Sequence, residues 1–186
     1  MVLTASSYLK MKQGSEAPDF QLKGIDGKTY SLADFKGKKG LLVVFMCNHC
    51  PYVQPKAPKL AQLFNDYSGK GLGMIGVNAN DAVKYPEDGF PKMAEYAKKF
   101  GWRFPYVVDE RQATAHAYDA ACTPDPYLFD AEFKLVYHGR IDDAHGKPHE
   151  EAQTNELEEA VQALLAGKPV KFRTDVPSTG CNVKWK

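Results

Sequence analysis

Two cysteines separated by two residues are the feature of this sequence that most directly suggests chemistry. Cys47 and Cys50 flank Asn48 and His49 in the stretch FMCNHCPY. The spacing brings both sulfurs to one side of a chain turn, so a disulfide closes with little backbone movement. An imidazole between the sulfurs hydrogen-bonds to a thiolate or, when protonated, attracts it, which makes the disulfide more oxidising. The pair therefore predicts redox chemistry, with His49 and Asn48 as tuning residues.

Zinc binding and inert burial are the two non-redox alternatives for the pair. A single Cys-x-x-Cys supplies two ligands, whereas a structural zinc site needs four. Cys181 and a histidine are available to complete such a set, but no second pair has metal-ligand spacing. Two buried structural thiols are the other alternative. We therefore expect no metal, and no cofactor beyond the redox-active disulfide itself.

The elements around the pair predict where its sulfurs lie. Residues 40–46, GLLVVFM, form a continuous apolar run typical of a strand buried on both faces. A helical pattern follows over residues 60–67, after three prolines that predict irregular first turns. We expect Cys47 at the start of this helix, where unsatisfied N–H groups stabilise a thiolate. A shift of the Cys47 pKa from about 8.5 to about 7 ionises roughly half of that thiol at neutral pH. Cys50, one turn further in, is expected to be more buried.

The remaining pattern predicts one α/β domain with a mixed sheet. Asp26-Gly27 lies between two short alternating runs and indicates a β-hairpin. Apolar strands and amphipathic helices then alternate in the order strand, helix, strand, helix, strand, helix, followed by two strands and a helix. We divide the chain into an N-terminal arm over 1–16, expected to be loosely held, a domain over 17–170 and a C-terminal tail over 171–186.

Composition and charge exclude several classes of function. The 186 residues carry a formal charge of +1, and their aromatic residues are spread along the core elements, so nothing predicts a nucleic-acid or anionic-membrane partner. The N-terminus has no apolar signal run, and no segment approaches the length of a membrane span. Four cysteines are too few for a disulfide-stapled secreted domain. We therefore expect a cytoplasmic location, where a close cysteine pair is catalytic or metal-binding.

The segment LLVVFMCNHCPY, entering a proline-interrupted helix, resembles the active-site segment of the thioredoxin superfamily. Cys122-Thr123-Pro124 resembles the Thr-Pro turn of that fold, whose proline is cis and faces the dithiol. The hairpin and the element inserted between the dithiol and Thr123 are similar to the alkyl hydroperoxide reductase/thiol-specific antioxidant branch, which includes periplasmic thiol-disulfide reductases. The runs NANDAVKYPEDGF, FPYVVDERQATAHAYDAACTPDPYLFD and GCNVKWK resemble a cytoplasmic subgroup of that branch.

The resemblance implies a thiol-disulfide oxidoreductase of thioredoxin fold. It makes Cys47 the attacking thiol, Cys50 the resolving thiol and Pro124 part of the substrate-facing wall. Thr123 offers backbone groups to a peptide that docks as an added strand. The implied partners are a disulfide-containing protein or a small thiol substrate, and a separate dithiol system that supplies electrons.

The proton acceptor for Cys50, the type of activity and the roles of Cys122 and Cys181 are left open. Met46 and Asn48-His49 replace the usual tryptophan and Gly-Pro, and strand 40–46 contains no carboxylate to accept a proton from Cys50. Peroxiredoxins place a Thr or Ser three residues before the reactive cysteine and a proline four residues earlier, and both are missing here, so peroxide reduction is the second hypothesis. A non-catalytic peptide- or metal-binding module is the third. Cys122 and Cys181 are either a redox relay with Cys47 or, as we favour, a core residue and a surface thiol.

Overall fold

A seven-stranded mixed sheet forms the centre of the protein, described here over residues 2–186 from a computed structural model. The strands follow the spatial order β3-β2-β6-β5-β4-β8-β9, in which β4, β5 and β6 run parallel and the other pairs antiparallel. Their bounds are β2 Gln21–Gly24, β3 Thr29–Ser31, β4 Gly40–Phe45, β5 Leu72–Asn78, β6 Tyr106–Val108, β8 Asp125–Asp130 and β9 Leu135–His138. The predicted mixed α/β sheet with an N-terminal hairpin is confirmed.

Helices cover both faces of the sheet, because its central strands are apolar on both sides. β4 and β5 are buried along their whole length. Leu42, Val44 and Met46 pack with the helices α1 Ala57–Tyr67, α2 Phe90–Phe100 and α4 Glu156–Leu165, whereas Leu41, Val43 and Phe45 pack with α3 Ala113–Tyr118 and the N-terminal hairpin. The strand over 40–46 is therefore held rigidly, and so is the start of the loop that carries the cysteine pair.

The helix after the cysteine pair begins later than the sequence predicts. A 3-10 turn spans Gln54–Lys56 and α1 starts at Ala57, with a proline in the first two positions of each. Proline has no N–H to donate and is tolerated at the first helical positions, so the prolines fix where each turn starts. The predicted irregular first turns are confirmed. The predicted helix start at Cys47 is wrong.

A second, three-stranded sheet joins the two ends of the chain. Its strands are β1 Leu3–Ala5, β10 Thr179–Asn182 and β7 Cys122–Thr123, in the order β1-β10-β7 and all antiparallel. Met11 is also buried. The N-terminal residues therefore do not form the loosely held arm that we expected, because the C-terminal strand pairs with them.

Membrane insertion through a helix has no support in the described residues. Over 2–186, none of the helices combines the length and the apolar character needed to cross a bilayer.

Candidate functional site

Cys47 and Cys50 lie in a non-helical loop between β4 and the turn at Gln54–Lys56. The Cys50 carbonyl accepts hydrogen bonds from the N–H groups of Val53 and Gln54, and the Tyr52 N–H lies 3.4 Å from the Cys50 Sγ. The backbone N–H groups at the start of the turn that precedes α1 therefore point toward Cys50. Cys47 precedes this position, so helix-terminal stabilisation of a Cys47 thiolate, the basis of our prediction, is absent.

Thr123 contacts both sulfurs from the opposite loop. Its Oγ1 lies 3.5 Å from Cys47 Sγ, and its carbonyl oxygen lies 3.3 Å from Cys50 Sγ. The Thr123-Pro124 peptide bond is cis, as the resemblance predicts. The structure therefore brings Cys47, Cys50 and Thr123 together in one buried cluster next to Pro124.

The two thiols differ in acidity in the opposite sense to our prediction. Burial raises the pKa of Cys47 well above its ordinary value, and its hydrogen bond with Cys50 adds to the effect. The hydrogen bond from Cys47 is the largest cause that lowers the pKa of Cys50, and together with smaller contributions from Thr123 and Cys181 it outweighs burial and brings that pKa to about 5. Both residues are at most 1% exposed. Near neutral pH the pair therefore shares one proton, and Cys50 carries the negative charge.

Asp88 is the carboxylate next to the pair that sequence analysis missed. It ends a 3-10 turn over Pro86–Asp88, within the element inserted between the dithiol and Thr123. Its oxygens accept hydrogen bonds from the Asn48 N–H at 2.8 Å, the Asn80 side chain at 2.7 Å and His49 Nδ1 at 2.6 Å. In the sequence, Asp88 is one of several acidic residues in the run NANDAVKYPEDGF, and no spacing pattern relates it to Cys47.

His49 and Asp88 form a largely buried ion pair. The hydrogen bond to Asp88 raises the pKa of His49 despite partial burial. Burial alone raises the pKa of Asp88, but the hydrogen bonds from His49 and Asn80 outweigh it and lower that pKa overall. The His49 ring also stacks on Tyr85, with 5.4 Å between ring centroids. Asp88 thus favours the protonated imidazole, but it also compensates most of the charge that we expected to act on the sulfurs.

Asn48 holds the loop in place through its side chain. Its Nδ2 donates to the Glu87 carbonyl at 2.9 Å, and its Oδ1 accepts from the Tyr106 hydroxyl at 3.0 Å. Both contacts are made with the inserted element and β6, and neither is with a sulfur. No contact of the Asn48 side chain with a sulfur supports the predicted tuning role. The side chain positions the loop instead.

Within residues 2–186, Cys47, His49 and Asp88 are the group of residues that could hold a metal ion. One potential ligand atom from each lies within 4.8 Å of the other two. Three protein ligands are the number used by catalytic zinc sites, which leave a fourth position open. Here, however, the carboxylate already accepts hydrogen bonds from Asn48 and Asn80, and His49 binds it through Nδ1. Coordination would have to break the ion pair, so the arrangement fits a hydrogen-bonded dyad better than a metal centre.

The two remaining cysteines are both neighbours of Thr123. Cys122 precedes it in β7, and Cys181 lies on the adjacent strand β10. Cys122 is fully buried, its sulfur lies 3.9 Å from the Pro124 carbonyl oxygen and 3.8 Å from that of Ser178, and burial raises its pKa well above the ordinary value. Cys181 lies on β10, directly opposite Thr123, and its side chain is close enough to Cys50 to lower the pKa of that residue. Cys122 is therefore a core residue, as we favoured, whereas Cys181 is not a surface thiol.

The edge of Thr123 that was expected to receive a substrate peptide is already occupied. β10 pairs with β7 antiparallel, with Cys181 opposite Thr123 and Asn182 opposite Cys122. The Val183 N–H continues the pairing by donating to the Ala121 carbonyl at 3.1 Å. A peptide can add to this edge only after the C-terminal strand has left it.

The parallel core, the cis proline and a dithiol facing it define a thioredoxin-type oxidoreductase. The model of the AhpC/TSA family matches residues 13–138, and the chain belongs to that family. Its sequence is 29% identical to the thiol-disulfide oxidoreductase ResA of Geobacillus thermodenitrificans over 66% of each chain, and 29% identical to ResA of Bacillus subtilis over 68% of this chain. The matched segments span about two thirds of the length of these relatives.

Solved structures agree on the fold over almost the whole chain. An uncharacterized conserved protein from Geobacillus kaustophilus superposes with a TM-score of 0.92 at 41% identity, covering 100% of this chain and 97% of that one. A hypothetical protein from Sinorhizobium meliloti 1021 gives a TM-score of 0.89 at 42% identity, covering 98% and 97%. The C-terminal sheet is therefore part of a fold that these proteins share, whereas the ResA matches cover less of the chain.

We expect Asp88→Asn to destabilise the protein by about 3–5 kcal/mol near pH 6, because the buried His49 cation loses its partner. His49 has a raised pKa, so its contribution is full below the unfolded value of about 6.5 and is lost as pH rises through the folded pKa. Asp88 has a lowered pKa, so its contribution is full above about 3.9 and is lost as pH falls through the folded pKa. Urea unfolding between pH 4 and 9 measures the difference from wild type.

Glu87→Gln is the matched control for this substitution. Glu87 is the exposed neighbour of Asp88, and only its backbone carbonyl contacts the site. We expect its urea midpoint to stay near wild type. Equal losses for the two variants, or a loss from Asp88→Asn that does not shrink above the folded pKa of His49, would contradict the ion pair.

Proposed function

We propose that the protein exchanges a Cys47–Cys50 dithiol or disulfide with disulfides in proteins or small molecules, in the cytoplasm. A separate dithiol system restores its electrons. The observation that carries this proposal is the buried sulfur pair facing Thr123, in which the pKa of Cys50 is lowered to about 5 with the hydrogen bond from Cys47 as the largest cause. A thiolate is the nucleophile in thiol-disulfide exchange, and the pair supplies one near neutral pH. Neither a nucleic acid nor a membrane belongs to the proposal.

The proposed reaction begins with proton sharing inside the pair. The resemblance assigns the attack to Cys47, whereas the resting charge lies on Cys50. Moving the shared proton from Cys47 to Cys50 resolves this difference and ionises Cys47. The Cys47 thiolate attacks the partner disulfide and releases one partner thiol. Cys50 then loses its proton, attacks Cys47 and releases the second partner thiol, which leaves the Cys47–Cys50 disulfide.

The neighbouring groups favour the reduced form of the pair. The hydrogen bonds from Cys47 and Thr123 to a Cys50 thiolate have no counterpart once Cys50 is in a disulfide. A dithiol stabilised in this way makes the corresponding disulfide more oxidising. This supports our expectation of a reduction potential above the roughly −270 mV of thioredoxin. The ion pair with Asp88 limits how much of that effect His49 itself supplies.

Insulin reduction with dithiothreitol as electron donor tests the proposal directly. We expect catalysed precipitation of insulin chains by the wild-type protein, and no accelerated loss of hydrogen peroxide under the same conditions. Turnover of peroxide instead of insulin would support a thiol peroxidase. Bound metal without either turnover would support a non-catalytic binding module.

Covalent trapping identifies the partner. Cys50→Ser removes the resolving thiol, so mixed disulfides at Cys47 accumulate and can be purified and identified by mass spectrometry. Cys47→Ser/Cys50→Ser is the matched control, because it retains Cys122 and Cys181 but neither thiol of the pair. Complexes that persist in the double variant arise outside the proposed site.

We expect the reduction potential of the pair to fall by about 30 mV per pH unit between pH 6 and 8. With the pKa of Cys50 near 5 and that of Cys47 raised, the reduced pair binds one proton in this range. One proton for two electrons gives about 29.6 mV per unit, whereas two protons give about 59 mV. Equilibration with dithiothreitol at each pH measures the slope and the midpoint, and thiolate absorbance at 240 nm tests the titration near pH 5 independently. A slope near 60 mV per unit would show that Cys50 is protonated.

A further inference from the structure

The C-terminal strand β10 runs directly across the dithiol loop. It is paired on both edges, with β1 on one side and β7 on the other. Its register places Cys181 opposite Thr123, the residue that contacts both sulfurs of the pair. The strand is therefore held in one register at the position where an added substrate strand would have to lie.

The backbone contact at this position is unusually close. A Cβ atom added to Gly180 would lie 2.0 Å from the Thr123 carbonyl oxygen, nearer than any side chain tolerates. Gly180 therefore allows β10 to approach the cis-proline loop, and the next residue, Cys181, is only 3% exposed. The approach delivers the Cys181 side chain into the same buried cluster as the dithiol.

Cys50 consequently has two neighbouring thiols. The side chains of Cys47 and Cys181 both lie close enough to its sulfur to lower the pKa of Cys50. Cys122, on the other side of Thr123, contacts the carbonyl oxygens of Pro124 and Ser178. The three sulfurs of Cys47, Cys50 and Cys181 therefore form one cluster with Cys50 at its centre.

We propose that Cys181 is a third redox thiol of the site, which exchanges with the Cys47–Cys50 disulfide to form a Cys50–Cys181 disulfide. The Cys181 thiolate attacks Cys50 Sγ, the new sulfur–sulfur bond forms, and the Cys47–Cys50 bond breaks with Cys47 as leaving thiolate. Cys47 takes up the proton that Cys181 has lost, so the step is balanced without an external oxidant or reductant. This inference rests on the proposed function, which supplies the Cys47–Cys50 disulfide.

The electrostatics of the cluster give the exchange an order. Burial, hydrogen bonding to Cys50 and the charge on Cys50 together raise the pKa of Cys181 to about 12. In the reduced protein Cys181 therefore keeps its proton. Once Cys50 is in a disulfide, its negative charge is gone and this part of the pKa increase is lost. Oxidation of the pair thus makes Cys181 more nucleophilic, and the product links the C-terminal strand covalently to the active-site loop.

Oxidation of a variant that lacks Cys47 tests the proposal without relying on turnover. Cys47→Ser retains three of the four cysteines. After treatment with diamide under native conditions, we expect the thiols titrated in denaturant to fall from three to one per chain, with one peptide pair joining Cys50 to Cys181. Cys47→Ser/Cys122→Ser should fall from two thiols to none, and Cys47→Ser/Cys181→Ser should keep both of its thiols in the monomeric protein.

Retention of three thiols by Cys47→Ser, or a disulfide that joins Cys50 to Cys122, would overturn the proposal. Circular dichroism checks that each variant is folded. If Cys47→Ser does not fold, the disulfide map of wild type equilibrated with oxidised glutathione decides, because it must then contain Cys50–Cys181 beside Cys47–Cys50. Failure of the proposed function gives a different result: the wild-type protein then neither forms the Cys47–Cys50 disulfide nor reduces insulin.

Discussion

Serine at Cys47 or at Cys50 is expected to lower insulin-reduction turnover by more than about 10³-fold, the scale of loss seen when a nucleophile is removed from a catalytic unit. A hydroxyl does not ionise near neutral pH, so Cys47→Ser removes the attacking sulfur. In Cys50→Ser the mixed disulfide forms but no neighbouring sulfur of the pair resolves it. Turbidity from precipitating insulin chains, with dithiothreitol as electron donor, measures both variants against wild type.

Cys122→Ser is the matched control for these two substitutions. Cys122 is as buried as the pair, but the neighbours of its sulfur are the carbonyl oxygens of Pro124 and Ser178 and the side chains of Ser6 and Ser178. We expect its turnover to stay within a few-fold of wild type. Undiminished insulin turnover in Cys47→Ser would disprove the assigned attack. Peroxide consumption that survives in Cys50→Ser would move the protein to the peroxidase hypothesis.

The sequence predicted the fold well where burial of an element determines its pattern of apolar residues. The run over 40–46 is apolar at every position because both faces of β4 are covered, and such a run is typical of a central parallel strand. The dithiol and the cis-proline turn were predicted because short motifs carry them. Their meeting at Thr123 follows from β4 and β8 being adjacent in the sheet.

Sequence reasoning failed where the partner of a residue lies far along the chain. Asp88 lies 39 residues from His49 in the sequence, beyond α1 and β5, and Cys181 pairs with Thr123 across β8, β9 and α4. Neither contact leaves a periodic signal, because β7 and β10 are only two and four residues long. The prediction for Cys47 failed for a local reason, since the prolines at 51, 55 and 58 delay the helix whose terminus was to stabilise its thiolate.

Access to the site depends on the C-terminal strand, and this dependence predicts the effect of Gly180→Ala. Both sulfurs of the pair are at most 1% exposed while β10 is in place, so a reagent reaches them only from a state in which the strand has moved. The alanine Cβ would lie 2.0 Å from the Thr123 carbonyl oxygen, and backbone atoms on both strands cannot yield as a flexible side chain does. The variant must therefore give up the pairing of β10 with β7.

We expect the alkylation rate of the pair by iodoacetamide at pH 7 to rise about 100-fold in Gly180→Ala. Two to three lost backbone hydrogen bonds, at about 1 kcal/mol each, favour the open state by roughly that factor. Gly69→Ala is the matched control, because a Cβ at Gly69 meets nothing within 4 Å. Mass spectrometry of the alkylated peptides gives the rates, and urea unfolding separates local opening from global destabilisation. An unchanged rate in Gly180→Ala would mean that the dithiol is reached without moving β10, and the C-terminal strand would then be a structural edge and not a gate over the site.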